Sequence, residues 1–85
     1  YVLARERRSA RNLAKGELTR IEAQIAETEK QIENAERELA RPELQSDYQQ
    51  IAALAETLAE RKAELDTLYQ QWEKAEETLA AFTEE

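Results

Sequence analysis

Leu39-Ala40-Arg41-Pro42-Glu43-Leu44-Gln45-Ser46-Asp47-Tyr48 contains the only proline of the chain, and the apolar patterns on its two sides do not share a phase. Upstream, Leu18, Ile21, Ile25, Thr28, Ile32, Ala35 and Leu39 recur at alternating spacings of three and four, the seam of a coiled coil. Continued past Leu39, that register lands on Pro42, Ser46, Gln49, Ala53, Glu56 and Glu60, which cannot make an apolar edge. A second register does: Ile51, Leu54, Leu58, Arg61, Leu65, Leu68, Trp72, Ala75, Leu79 and Phe82. Two stripes out of phase across a proline predict two helices folded back on each other, an all-α, antiparallel two-helix coiled-coil hairpin. A parallel homodimer of helices running straight through Pro42 conflicts with the phase slip, so a monomeric hairpin is expected.

Proline removes a backbone donor and pushes the residue before it out of the α region. The expected layout is one domain over residues 1–85, with a first helix over about 3–40, a connector over 41–45 and a second helix over about 46–83. Ser46 with Gln49 reads as a capping box, and Asp47 adds negative charge to the first turn of the second helix. Each arm should be on the order of 55 Å long. If Leu39 faces Ile51, antiparallel partners have residue numbers summing to about 90. Ile32 then meets Leu58, Ile25 meets Leu65 and Leu18 meets Trp72. Thr28 faces Arg61 in a polar layer, with Arg61 expected to pair with Glu29 or Glu27. Gly16, costly inside a helix, is expected to leave room for the Trp72 indole.

Composition narrows the function classes. Charged residues are abundant, aromatics few, and glycine and proline occur once each, the usage of long-helix proteins. A chain of 85 residues has too little interior for an enclosed active site. Without cysteine or histidine the usual zinc ligands and the commonest general base are missing. Carboxylate pairs such as Glu33 with Glu36 and Glu73 with Glu76 or Glu77 fall on solvated helix faces, whereas acid–base work needs environments that separate their pKa values. No glycine-rich phosphate loop and no activated serine is present. The segment is therefore expected to be no enzyme and to hold no cofactor or metal. No apolar run approaches the roughly 20 residues needed to cross a bilayer, and nothing resembles a signal peptide. A soluble, cytoplasmic segment without membrane contact is the expectation.

The net charge of −7 conceals an asymmetry. Residues 1–20 carry Arg5, Arg7, Arg8, Arg11, Lys15 and Arg20 against Glu6 and Glu17, a balance of +4 that leaves −11 for residues 21–85. Arg8, Arg11 and Lys15 follow three-four spacing along one helix face. Cations on a rigid rod can bind phosphates in a salt-dependent way, so these six residues are the candidate nucleic-acid-binding set. Reading bases would need a recognition helix or stacking aromatics, and the basic stretch itself has neither. Arg37 and Arg41 with Tyr48 at the hairpin tip form a weaker candidate, diluted by acids. The competing reading is a structural spacer or protein-interaction coil whose arginines pair with acids on the partner helix. Before Leu18 the seam runs back through Ala14 to Arg11 and Arg7, so this end is expected to fray or to dock on something else.

Arg41-Pro42-Glu43-Leu44, then Asp47-Tyr48, then a heptad helix ending Leu68-Tyr69-Gln70-Gln71-Trp72-Glu73, resembles the C-terminal domain of ABC-F proteins, and the lead-in Arg5-Glu6-Arg7-Arg8 resembles the segment that leaves their second cassette. These are paired ATP-binding cassettes without transmembrane segments, whose C-terminal extension is an antiparallel coiled coil. The resemblance implies a parent ATPase using ATP and Mg in cassettes elsewhere in the same polypeptide. It implies ribosomal RNA or DNA as partner, with the cassettes of the parent chain as neighbours and the basic N-terminal arm as the nucleic-acid surface. It also brings translation and antibiotic resistance into view.

Overall fold

The computed structural model describes residues 2–83. Tyr1, Glu84 and Glu85, which the expected 1–85 domain also includes, lie outside the described residues. The order of elements is α1 (Val2–Leu39), a 3-10 turn (Pro42–Leu44) and α2 (Tyr48–Thr83). The two helices pack along each other in a hairpin measuring 68 × 16 × 14 Å.

Each boundary has a local cause. Arg41 takes extended angles, φ −72° and ψ 128°, as the residue before a proline must. Its amide still donates to Glu38 O at 3.1 Å, and the Ala40 amide to Glu36 O at 3.2 Å, so two of the last carbonyls of α1 are satisfied. Leu44 is buried and plugs the tip. The entry to α2 differs from the expected Ser46–Gln49 box. Asp47 is the cap: its Oδ1 accepts from the Gln50 amide at 3.1 Å, and its carbonyl accepts from the Ile51 amide at 3.0 Å. An aspartate at the N-cap supplies both a side-chain acceptor and a charge that suits the helix dipole.

The interior is one apolar ribbon. Ile21, Ile25 and Leu68 form its buried cluster, with Leu65, Trp72 and Ala75 packed against it. This brings together the Ile25 and Leu65 layer that the antiparallel register predicts. Ile32, Ala35 and Thr28 continue the ribbon toward the tip as buried residues of α1. The α2 side is more open, and Leu68 is its buried member among the described residues. Two helices alone cannot enclose a seam, so flanking positions stay wet.

Two expected layers are corrected. A side chain at Gly16 would meet nothing within 4 Å, so Gly16 does not make room for Trp72. The indole instead packs on the Ile21 cluster, and its Nε1 donates to Glu22 Oε2 at 3.3 Å. Arg61 does not reach Glu29 or Glu27. It pairs on its own helix, Nη1 with Glu64 Oε2 at 2.9 Å and, more distantly, Nη2 with Glu60 Oε2 at 3.9 Å. Its buried Nε finds no hydrogen-bond partner, since the side chain must turn outward to meet those acids. Glu29 is engaged elsewhere, accepting from the Tyr69 hydroxyl at 3.0 Å.

Gly16 thus sits mid-helix on an exposed surface with no packing reason for being small. Gly16→Ala should stabilise the hairpin by up to about 1 kcal/mol through helix propensity and unfolded-chain entropy. Urea unfolding followed by circular dichroism checks this, and an unchanged or lowered midpoint would contradict it.

Candidate nucleic-acid interface

The open end of the hairpin gathers what the chain keeps far apart. α1 is helical from Val2 onward, so the expected fraying is not observed. Continuing the seam backward puts Arg7 and Arg11 where apolar residues would stand in a longer coil. The end of α2 comes alongside. Ala4, Arg7, Arg8 and Arg11 surround Phe82 in an open hollow of about 230 Å³. Phe82 is half-buried and the three arginines are exposed.

The candidate cations separate into groups. Arg7, Arg8 and Arg11 share the Phe82 hollow. Lys15 follows one turn further along the same face, exposed, with its backbone carbonyl accepting from the Thr19 hydroxyl at 3.0 Å. Arg5 lies elsewhere, with Val2, Glu6 and Ser9 around a second shallow hollow of about 310 Å³. Arg20 is held by Glu17: its Nε and Nη2 both donate to that carboxylate, and the hydrogen bond, with the Glu17 charge behind it, raises the Arg20 pKa further. At the tip, Arg37 Nη2 donates to Glu33 Oε1 at 2.8 Å. Arg41 lies between Glu43, 3.0 Å from its Nε, and Glu38, 3.3 Å from Nη1. Those two acids raise the Arg41 pKa, Glu43 chiefly by its hydrogen bond. Tyr48 is exposed beside this neutralised tip.

The ion pairs of Arg20, Arg37, Arg41 and Arg61 all close within a few residues along the chain rather than across the seam. Exposed local pairs of this kind contribute little to stability. Two aromatic residues make polar contacts that cross between the helices, Tyr69 to Glu29 and Trp72 to Glu22. Sequence reasoning passed over Phe82 as a site residue. The signal was present in the register: partners summing to about 90 put Phe82 opposite Arg8. The α2 stretch facing the arginines, Thr78-Leu79-Ala80-Ala81-Phe82-Thr83, carries no charge of its own, with Glu76 and Glu77 before it and Glu84 and Glu85 after it.

The Tyr69–Glu29 contact gives a pH dependence. That hydrogen bond, then desolvation and the Glu29 charge, raises the Tyr69 pKa. A raised folded-state value means the contact contributes fully below the unfolded pKa of about 10 and is lost as pH rises through the folded value. Tyr69→Phe should therefore remove part of the alkaline loss of stability. Thermal melts of both proteins between about pH 8 and 11 test this; parallel curves would exclude the contact as the cause.

Among the described residues, no helix is long and apolar enough to cross a membrane, and no cluster of three or more Asp, Glu, His or Cys side chains is placed to hold a metal. The class is thus a slender antiparallel helical arm whose open end groups Arg7, Arg8 and Arg11 with Phe82. Residues 12–77 match the family described as the ABC transporter C-terminal domain, and the chain belongs to that family. It is an accessory domain of an ABC protein. No curated protein and no solved structure gives a significant match. The matched residues stop short of Arg7, Arg8, Arg11 and Phe82, so the cationic hollow lies outside them.

Proposed function

We propose that this hairpin is the C-terminal arm of a soluble, cytoplasmic ABC-F ATPase, and that its open end binds nucleic acid, ribosomal RNA or DNA, through phosphate contacts. The observation that carries the reading is the grouping of Arg7, Arg8 and Arg11, with Lys15 one turn on, opposite a stretch of α2 without charge. The long coil supplies reach and orientation, and its surplus of acids keeps the rest of the rod off the polyanion. Binding thereby concentrates at one end. ATP hydrolysis belongs to cassettes of the parent chain and not to this arm.

The electrostatic reading requires affinity that falls linearly, on logarithmic axes, with salt concentration. Fluorescence anisotropy of a labelled RNA hairpin and a labelled DNA duplex, titrated with the full chain at several salt concentrations, measures this. Salt-independent binding, or none by about tens of micromolar protein, where non-specific contacts normally register, would overturn it. A structural spacer is the second reading, favoured by the local ion pairing of Arg20, Arg37, Arg41 and Arg61. It predicts that neutralising the open end changes stability and leaves nucleic-acid affinity unaltered.

A further inference from the structure

We infer that the Phe82 hollow receives one unpaired nucleotide, the base against the ring and its phosphate on Arg8 and Arg11, so that the arm prefers single-stranded to duplex nucleic acid. This rests on the reading of the open end as a nucleic-acid surface and adds what that surface selects. The basic segment of α1 holds no aromatic residue between Val2 and Lys15, so on sequence spacing alone it could only count phosphates. Folding supplies the missing group from the far end of the chain. Phe82 is the only phenylalanine in the protein, and it stands among three arginines.

An aromatic face flanked by cations is the pairing single-strand binders use. Stacking accepts any base, because every base has a π-face, while arginine serves both the phosphate and the ring edge. A base within a duplex keeps its faces covered by its neighbours and cannot reach a half-buried ring at the foot of exposed arginines. The hollow of about 230 Å³ is smaller than the roughly 300–1,000 Å³ typical of drug-sized ligand pockets. It suits one base-sized group and not an extended ligand.

The base-plus-phosphate group could come from a strand or from a free nucleotide. The test uses the full chain with fluorescein-labelled oligo-dT, the same strand annealed to oligo-dA, and free thymidine monophosphate as competitor. Wild-type protein should bind the single strand more tightly than the duplex. Phe82→Leu keeps an apolar contact for the hairpin while removing the stacking face. It should lower single-strand affinity by roughly five- to hundred-fold, the range one stacked base supplies, and so collapse the ratio between strand and duplex. Competition by the monophosphate at strand-like affinity would assign the free nucleotide as source; competition only at far higher concentration assigns the strand. A Phe82→Leu protein that keeps the wild-type ratio overturns the stacking site while leaving the phosphate reading standing. Loss of binding to both nucleic acids in wild-type protein would remove both readings together. Helix content and melting temperature of the variant, measured alongside, separate stacking from damage to the fold.

Discussion

Ile25→Ala should destabilise the hairpin by about 2–5 kcal/mol, the range for removing a buried branched side chain and leaving a gap. Ile25 is among the most enclosed residues of the chain, and it sits with Ile21 and Leu68 in the cluster on which Leu65, Trp72 and Ala75 pack. Small domains are stable by only about 0.05–0.15 kcal/mol per residue, or roughly 4–13 kcal/mol for a chain of this size. A two-layer rod with a half-wet seam belongs at the low end. Losing the centre of its one apolar cluster should therefore leave a large unfolded fraction at ordinary temperatures. Ile51→Ala offers the comparison, because Ile51 is only half-buried beside the tip, and less burial is lost with it. Urea unfolding of both variants reads the difference. A cost for Ile25→Ala below about 0.5 kcal/mol, the ordinary surface range, would mean that the ribbon is not what holds the arms together.

That ribbon is legible in the heptads, and so is the reversal at Pro42. Both depend on periodicity and on proline sterics, which act over a few residues and survive any tertiary context. The details that differ depend on geometry that periodicity does not carry. Ser46 and Asp47 are both good caps, and which one serves depends on where the 3-10 turn at Pro42–Leu44 delivers the chain. Gly16 invited a packing explanation because Trp72 is large, but the glycine faces solvent and the indole is accommodated at Ile21 and Glu22. Arg61 reads in sequence as a partner for acids across the seam, yet Glu64, one turn away on its own helix, takes it. Tyr69 then takes Glu29.

The candidate site was half readable. Its cations form a visible run near the start of the chain, but a run does not reveal which of them share a surface. The fold sends Arg5 to another hollow and leaves Arg20 with Glu17, while Arg7, Arg8 and Arg11 converge on a residue more than seventy positions away in sequence. Phe82 reads in sequence as the last apolar position of its stripe, a seam residue like Leu79. Only because the opposing stripe has turned basic does it become an aromatic floor under cations. A seam position changes its chemistry when its partner changes, and that is information about pairs, which one-dimensional spacing holds only through the register.

Neutralising those cations should have the largest effect on binding. With three phosphate contacts, raising salt from about 50 to 200 mM should weaken nucleic-acid binding by about forty-fold, from a slope near −0.9 per contact. The combined Arg7→Ala, Arg8→Ala and Arg11→Ala protein should lower the slope by about three, leaving only what Lys15 and the outlying cations contribute. The loss should fall on RNA and DNA alike, since phosphate contacts carry no sequence information. The fold should remain, because all three residues are exposed and alanine is the better helix former. Helix content measured on the same samples is therefore part of the result. Weakened binding with unchanged helicity and melting temperature identifies a binding end. Unchanged binding with a lowered melting temperature would instead make these arginines part of the scaffold, and the arm a spacer. Arg37→Ala at the tip is the matched control: its guanidinium is already committed to Glu33, so removing it should alter the salt slope far less than removing Arg8 or Arg11.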